Sequence, residues 1–354
     1  MKKFILIILL AFIFIPNVNA EVKLAESAKS SILIEATTGE IIYESKKDEK
    51  FAPASMTKIM SLIIIMEEIE KGNLKWNEEI TVSKNASSMG GSQIYLEEGE
   101  KMSVKDLVKG ICMASANDAV VALAERISGS EEAFVFRMNE NVKKLGLKNT
   151  NFKNATGLDV ANHYSSAYDM SMMARELVKH KKILDFSGIY EDYLRQDTDK
   201  KFWLVNTNRL IKTYDGMDGL KTGYTKEAGY CLTATAKRGD MRLIGVVMGE
   251  ETSSIRNEEM TKLLDYGFNL YNVSSLVTNK TKLGKYENSK MKLSNVNIVP
   301  SSSVNVLNKK GDPKRKVSYK VKVTREKLPI KKGEKIGKMY VYENGKKLYN
   351  IDIT

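Results

Sequence analysis

Residues 53–66 read PASMTKIMSLIIIM and predict a helix that is apolar on nearly every side. Pro53 ahead of the apolar run marks the start of this helix, and Gly72 marks its stop. A helix of this composition is expected to be buried between two layers, with its amino end facing a cleft. The apolar run is too short to span a membrane, so the segment belongs to the core of a folded domain.

The first turn of this helix carries Ser55 and Lys58, whose spacing of three residues places both side chains on the same face. A serine at the positive end of the helix dipole is favoured as an anionic nucleophile. A desolvated lysine beside it can lose its proton and serve as its base. The motif alone is weak evidence for a site, because lysine is abundant and Ser-x-x-Lys recurs at Ser289 and Lys292.

A tight corner separates two further predicted helices, residues 103–113 and 118–127. The corner reads Ala-Ser-Ala-Asn at residues 114–117. Ser-x-Asn is common by itself, but this setting could hold the Ser115 hydroxyl and the Asn117 amide rigidly over a cleft.

Lys221-Thr222-Gly223 occurs once in the chain and precedes two predicted antiparallel strands, residues 232–236 and 243–248. A glycine within a strand pattern suggests either a simple bulge or the close approach of another molecule, such as a substrate. The other elements predicted for this part of the chain are two strands and two helices, at residues 31–35, 41–44, 166–178 and 254–271.

The first twenty residues predict a secretory signal peptide. Two lysines precede an apolar run over residues 4–15, and Val-Asn-Ala at residues 18–20 offers a small-residue cleavage site. The mature chain is expected to begin at Glu21; an uncleaved membrane anchor is the alternative, and the short apolar run argues against it. We therefore expect an exported protein, located at the outer face of the cytoplasmic membrane, in the periplasm or in the cell wall.

Cysteine and histidine are both scarce. Cys112 and Cys231 lie in apolar surroundings and are expected to be buried free thiols, although a single disulfide is arithmetically possible. His163 and His180 are too few for a histidine-built metal site, and they make a Ser-His-Asp triad improbable. Serine chemistry in this chain would have to use a lysine as its base, and we expect no metal and no cofactor.

The positive charge is concentrated at the C-terminal end. Residues 273–354 contain 20 lysines and arginines against 6 acidic residues, a net charge of +14, whereas the whole chain carries +12. Short alternating runs there, with Asn344-Gly345 as a hairpin turn, predict a separate all-β module. We divide the chain into a signal peptide (1–20), a main domain (21–272) and this basic module (273–354). In an exported protein its natural partner is an anionic membrane or wall surface, not nucleic acid.

Three ordered motifs, Ser55-x-x-Lys58, Ser115-x-Asn117 and Lys221-Thr222-Gly223, resemble those of the penicillin-recognising serine enzymes. Within that class the chain is similar to the low-molecular-mass D-alanyl-D-alanine carboxypeptidases. The similarity covers essentially all of residues 25–270, and the basic module looks like the family's second domain. The surrounding stretches that share it include Gly90-Gly91-Ser92, Thr156-Gly157-Leu158-Asp159, Ser165-Ser166-Ala167-Tyr168-Asp169 and Ala228-Gly229-Tyr230.

The resemblance implies an α+β fold. It would consist of a β-lactamase/transpeptidase-like domain, an antiparallel sheet with helices on both sides and a helical insertion, followed by a small all-β domain. It also implies that Ser55 attacks the carbonyl between two D-alanines of a peptidoglycan stem peptide, with Lys58 as the base. Ser115 would relay a proton to the departing amine, and Asn117 would hold the substrate amide. β-Lactam antibiotics would mimic the dipeptide and be trapped as slow esters.

The same resemblance assigns the other binding residues. Lys221 and Thr222 of the Lys-Thr-Gly motif, which Gly223 completes, would hold the terminal carboxylate. The backbone N–H groups of Ser55 and Tyr224 would form the oxyanion hole. Arg256 is a further carboxylate candidate, although an exposed helix charge is an equal alternative for this residue.

Two departures from the family pattern stand out. Relatives often carry an arginine between two asparagines where this chain has Thr207, with Arg209 nearby. Many relatives also end in an amphipathic anchoring helix, whereas residues 350–354 keep a strand pattern, so the sequence does not support stable membrane anchoring. The basic module would then hold the enzyme loosely on an anionic surface.

Three alternatives remain at this point. A class A-like β-lactamase would need a deacylating glutamate, and residues 150–175 contain Asp159 and Asp169 but no glutamate. A D,D-endopeptidase or transpeptidase on the same scaffold would differ in cleft shape, which the sequence does not reveal. A non-catalytic wall-binding module with a relic site is the third alternative, although every reactive residue is present.

Overall fold

The computed structural model describes residues 23–286, 296–325 and 327–354. The predicted signal peptide (1–20) and the second Ser-x-x-Lys, at Ser289 and Lys292, lie outside these residues. A five-stranded antiparallel sheet in the order β2-β1-β9-β8-β7 forms the centre of the main domain. Its strands are β1 (Ser30–Glu35), β2 (Ile41–Ser45), β7 (Met217–Thr225), β8 (Gly229–Arg238) and β9 (Met241–Glu250). Two short two-stranded antiparallel sheets accompany it. One pairs β3 (Glu79–Thr81) with β4 (Lys101–Ser103), and the other is a hairpin of β5 (Glu191–Leu194) and β6 (Phe202–Val205).

Helices cover both faces of the central sheet. In chain order, those of the described part are α1 (Lys58–Glu70), α2 (Lys84–Ser87), α3 (Val104–Ala114), α4 (Asn117–Ser128), α5 (Glu131–Leu145), α6 (Ala167–Leu177), α7 (Leu184–Ser187), α8 (Leu210–Thr213) and α9 (Ser253–Leu270). Successive residues of a strand point to opposite faces. Ile32 and Ile34 of β1 therefore join the core beneath α1 and α6, while Leu33 joins a second core beneath α9. This is the predicted α+β architecture.

The helix predicted over residues 53–71 is present and buried. A 3-10 turn (Ala54–Thr57) precedes α1, and Gly72 follows it with a φ of +80°. All but three of the side chains of α1 are buried, because the helix passes between the sheet and the helices α4 and α5. The amino end of α1 lies against the edge strand β7.

The remaining predicted elements of the main domain are confirmed with shifts of at most three residues at their ends. The longest element that was not predicted is helix α5; the short helices α2, α7 and α8 and the strands β3, β4, β5 and β6 were not predicted either. Both cysteines are buried free thiols, as expected.

The C-terminal part is an all-β unit, as predicted. Its strands are β10 (Tyr271–Val277), β11 (Gly284–Tyr286), β12 (Val296–Ile298), β13 (Val304–Lys309), β14 (Val317–Val323), β15 (Gly337–Glu343) and β16 (Lys346–Ile353). The Asn344-Gly345 turn joins β15 to β16, and both of its residues have positive φ. Because β10 follows α9 without a linker, the boundary that we place at residue 273 stays a prediction. No helix in the described ranges combines the length and apolarity needed to cross a bilayer.

Candidate active site

Ser55 lies in the 3-10 turn that leads into α1, and two glycines hold this turn in place. Its neighbour Ala54 has a φ of +47°, a backbone conformation that side chains rarely adopt. A Cβ atom on Gly157 would stand 1.9 Å from the Ala54 carbonyl oxygen, and one on Gly223 would stand 2.8 Å from the Pro53 carbonyl oxygen. Both glycines therefore permit close backbone packing around the turn. The strain at Ala54 is maintained by this packing, as is common at functional sites.

Lys58 is fully buried, with its Nζ 2.9 Å from the Ser55 hydroxyl oxygen and 2.7 Å from the Thr156 carbonyl oxygen. Burial is the largest cause that lowers the pKa of Lys58 well below its usual value. The positive charge of Lys221 lowers that pKa further, and the carboxylate of Asp118 opposes the shift. A lysine in this setting is poised to be a neutral amine, which can accept the proton of the Ser55 hydroxyl.

The corner between α3 and α4 has the predicted geometry. Ser115 terminates α3 in the left-handed conformation, with a φ of +63°, and its buried hydroxyl has no hydrogen-bond partner within the described residues. The Asn117 side-chain nitrogen donates to the Gly90 carbonyl oxygen at 2.6 Å, and its buried side-chain oxygen has no partner among the same residues. A buried polar atom normally has a partner. These two atoms are therefore available to a bound molecule.

Asp118, which the sequence analysis used only to start a helix, fixes the loop beside this corner. Its carboxylate accepts hydrogen bonds from the backbone N–H groups of Ile94, Leu96 and Ala119 at 2.9 to 3.2 Å. Burial raises its pKa, and these hydrogen bonds counteract the shift. Its position directly after Ser115-x-Asn117 is a sequence signal that could have identified Asp118 as a residue of the site.

Lys221 and Thr222 lie on the edge strand β7. Lys221 is 1% exposed, and burial, assisted by the charge of Arg256, lowers its pKa to about 8. Its Nζ donates to the Thr222 carbonyl oxygen at 3.2 Å, while the Thr222 hydroxyl lies 2.8 Å from that of Thr207. Thr207, which stands where relatives often carry an arginine, thus contacts the Lys-Thr-Gly motif directly.

Arg256 is buried rather than exposed, so the alternative of a surface helix charge is wrong for this residue. Its guanidinium donates two hydrogen bonds to the Asn257 side-chain oxygen, at 2.8 and 3.1 Å. Tyr224, at the end of β7, is exposed and its ring packs against that of Tyr230 at a centroid distance of 4.3 Å.

His163 contacts the turn that carries Ser55, and it was not among the predicted site residues. Its Nδ1 accepts a hydrogen bond from the Lys153 backbone N–H at 3.1 Å, so its Nε2 carries the proton and donates to the Thr57 hydroxyl at 2.8 Å. Burial lowers the pKa of His163 to about 4. The imidazole therefore joins residues 151–163 to the turn that carries the candidate nucleophile. No sequence motif marks this link.

The turn that carries Ser55 packs against β7, and the charges of Lys221 and of Asp118 both act on Lys58, so the three motifs belong to one site. The antiparallel sheet with helices on both faces, a Ser–Lys pair on the central helix and a Lys-Thr-Gly edge strand define the class of penicillin-recognising serine enzymes.

Comparisons with known proteins identify the family within this class. The chain matches the family described as D-alanyl-D-alanine carboxypeptidase over residues 17–252, and the C-terminal domain of penicillin-binding protein 5 over residues 271–354. It is 51% identical over 327 residues to the D-alanyl-D-alanine carboxypeptidase DacF of Bacillus subtilis, which covers 92% of this chain and 84% of the relative. The chain therefore belongs to the D-alanyl-D-alanine carboxypeptidase family, as the resemblance implied, and is a serine-type carboxypeptidase.

Solved structures agree with this assignment. Penicillin-binding protein 5 from Haemophilus influenzae is similar with a TM-score of 0.74 and 29% identity, over 94% of this chain and 97% of that chain. Penicillin-binding protein D2 from Listeria monocytogenes, in its ampicillin-bound form, is similar with a TM-score of 0.62 and 32% identity. That similarity covers 70% of this chain and 98% of the Listeria chain.

Proposed function

We propose that the protein removes the terminal D-alanine from peptidoglycan stem peptides through an acyl-enzyme on Ser55. The observation that carries this proposal is the fully buried Lys58, whose Nζ lies 2.9 Å from the Ser55 hydroxyl oxygen. A neutral lysine at this distance takes the serine proton as the oxygen attacks the carbonyl between the two D-alanines.

Collapse of the tetrahedral intermediate breaks the peptide bond and needs a proton on the departing nitrogen. The unpartnered hydroxyl of Ser115 supplies a route for that proton from Lys58 to the amine of the leaving D-alanine. The unpartnered side-chain oxygen of Asn117 accepts a hydrogen bond from the substrate amide. Water then attacks the ester carbonyl. Lys58 and Ser115 transfer a proton from the water to the Ser55 oxygen, which frees the serine.

The terminal carboxylate of the substrate is held by the positive groups on and behind β7. Lys221 supplies charge, Thr222 supplies a hydroxyl, and Arg256 adds a second charge whose proximity is evident in the lowered pKa of Lys221. Because β7 is an edge strand, it also offers backbone N–H groups that no neighbouring strand uses. The oxyanion hole would use the N–H groups of Ser55 and Tyr224, with Gly223 allowing the two backbones to approach.

β-Lactams acylate the same serine, as the ampicillin-bound form of the Listeria relative suggests. Asp159, the acidic residue of the loop near Ser55, accepts a hydrogen bond from the Thr225 hydroxyl at 2.9 Å. A carboxylate held in this way does not resemble the glutamate base of a class A β-lactamase. The β-lactam ester is therefore expected to persist.

Release of D-alanine from an N-acylated tripeptide ending in D-Ala-D-Ala tests the proposal. Ser55→Ala should abolish release, and Lys58→Met, which keeps the volume but removes the amine, should reduce it about 10²–10⁴-fold, the usual worth of a general base. Ser61→Ala, one turn further along α1, is the matched control and should retain activity. Transfer of the acyl group to an added amine, without free hydrolysis, would instead establish a transpeptidase.

We further propose that the protein acts outside the cytoplasm, with residues 273–354 in contact with an anionic membrane or wall surface. The predicted signal peptide and the net charge of +14 over those residues support this location. An electrostatic attachment of this kind weakens with salt. Retention by membrane and wall fractions should fall steeply between low and high ionic strength; retention unaffected by salt would refute the proposal.

A further inference from the structure

The β5–β6 hairpin carries an aromatic pair on its solvent face. Tyr193 and Trp203 lie directly opposite each other in the register of this ribbon, and they are 39% and 57% exposed. On the opposite face of the hairpin, Leu194 and Leu204 are each 1% exposed and join the core. The outer positions of such a ribbon are ordinarily polar, because they face water. Two large aromatic side chains there suggest a partner.

A third exposed aromatic residue, Tyr95, contacts the hairpin on the face opposite to Tyr193 and Trp203. Tyr95 is 68% exposed and has a φ of +55°, which is unfavourable for a bulky residue. The Arg195 guanidinium holds this strained backbone through the carbonyl oxygens of Ile94 at 3.1 Å and Tyr95 at 3.3 Å. The ring of Tyr95 packs edge-on against Phe202 at a centroid distance of 5.7 Å. We call Tyr193 and Trp203 the hairpin surface.

The hairpin surface is joined to the catalytic cleft on two sides. On one side, the loop that carries Tyr95 also provides the Gly90 carbonyl oxygen bound by Asn117. On the other side, β6 leads directly into Thr207, whose hydroxyl contacts that of Thr222. A polymer whose peptide end occupies the cleft would therefore have its next segment beside these rings.

A cationic group lies over one of these aromatic rings. The Lys201 Nζ lies 4.1 Å from the centroid of the Tyr193 ring, whereas the Arg195 guanidinium directly after β5 is paired with Glu100. A purely apolar partner would leave the Lys201 ammonium without a hydrogen-bond partner, whereas a carbohydrate has C–H faces that pack on aromatic rings and oxygens that accept from lysine.

We infer that the hairpin surface binds the glycan strand to which the stem peptide is attached. The inference rests on the proposed function for the identity of the polymer, and it concerns a part of the substrate that the catalytic residues do not touch. The hairpin surface would contribute to the binding of polymeric substrate and leave the hydrolysis of short peptides unchanged.

Two substrates separate the hairpin surface from the cleft: a short N-acylated tripeptide, and uncross-linked glycan strands that carry pentapeptides. The variant Tyr193→Ser/Trp203→Thr keeps strand-compatible side chains and removes both rings. We expect KM for the glycan strands to rise about tenfold, with kcat and all constants for the tripeptide unchanged. Phe136→Ser is the matched control, because Phe136 is 67% exposed on α5, away from the hairpin, and it should change neither substrate.

Peptide-free glycan strands provide a second readout that does not depend on catalysis. They should bind the wild type in co-sedimentation and change the fluorescence of exposed Trp203, and the double variant should lose this binding. Equal loss on both substrates, no loss on either, or an equal effect of Phe136→Ser would overturn the inference. If the wild type fails to hydrolyse the tripeptide, the proposed function is wrong, while binding of peptide-free strands still decides whether the hairpin surface recognises glycan.

Discussion

Acidification should destabilise the main domain through His163. The buried imidazole donates from Nε2 to the Thr57 hydroxyl and accepts at Nδ1 from the Lys153 backbone N–H. A proton added at Nδ1 would face that N–H donor and would place a charge in a buried position. Burial accordingly lowers the pKa of His163 from 6.5 to about 4 in the folded protein.

The sign and size of the effect follow from this difference. The unfolded chain takes up a proton at His163 near pH 6.5, whereas the folded chain does so only near pH 4. Stability from this group is therefore complete above pH 6.5 and is lost as the pH falls towards 4. At about 1.4 kcal/mol per pH unit, the loss amounts to about 3 kcal/mol.

Urea unfolding from pH 7.5 to pH 4, followed by tryptophan fluorescence, measures this loss. Trp76 stacks on Phe186 in the core and reports on the main domain. His163→Gln retains an amide donor but cannot be protonated in this range. The variant should be less stable than the wild type by about 1–3 kcal/mol at pH 7.5, the cost of a disrupted buried hydrogen bond.

The difference between the two proteins should shrink by about 3 kcal/mol as the pH falls to 4, because only the wild type must keep an imidazole neutral. Buried carboxyl groups such as Asp118 titrate in both proteins, so the comparison removes their contribution. A difference that stays constant across the pH range would refute the account of His163.

Three further predictions concern the cleft. The KM for a substrate with a free terminal carboxylate should rise as the pH passes through about 8, because Lys221 then loses its charge; a KM that is flat from pH 7 to 9 would contradict its role. Gly157→Ala should abolish acylation by benzylpenicillin, since its Cβ would meet the Ala54 carbonyl oxygen at 1.9 Å, whereas Gly99→Ala, also at positive φ but with open space around it, should acylate normally. Asp118→Asn should lower the free energy of unfolding by about 1–3 kcal/mol and slow acylation, because the neutral amide is a poorer acceptor for the three backbone N–H groups that Asp118 binds. Urea unfolding and stopped-flow acylation measure these two effects, and no change in either would contradict the prediction.

The local order of the site could be predicted because it depends on short-range patterns. The spacing of Ser55 and Lys58, the cap that starts α3 and the corner at Ser115 are all determined within a few residues of the chain. Their assembly into one cleft came from the resemblance to a family. The structure adds the burial of Lys58, which supplies the physical reason for its role as a base.

The features that were missed depend on contacts between distant residues. The His163–Thr57 hydrogen bond joins positions 106 residues apart, and no periodicity specifies which polar side chain a buried histidine meets. Helix α5 was missed although its cap, Ser130, precedes two glutamates, because its mixed composition gives only a partial apolar stripe. The hydroxyl contact of Thr207 with Thr222 appears only when the segment that follows β6 is placed beside β7.

The central claim is that Ser55 is the nucleophile and buried Lys58 its base. The most direct test is the intact mass of the mature protein after brief exposure to benzylpenicillin, with peptide mapping of the adduct. The account predicts a persistent single adduct on the peptide containing Ser55, none on Ser55→Ala, and slow accumulation on Lys58→Met. An adduct on another residue, an adduct that survives in Ser55→Ala, or rapid drug hydrolysis without an adduct would contradict it.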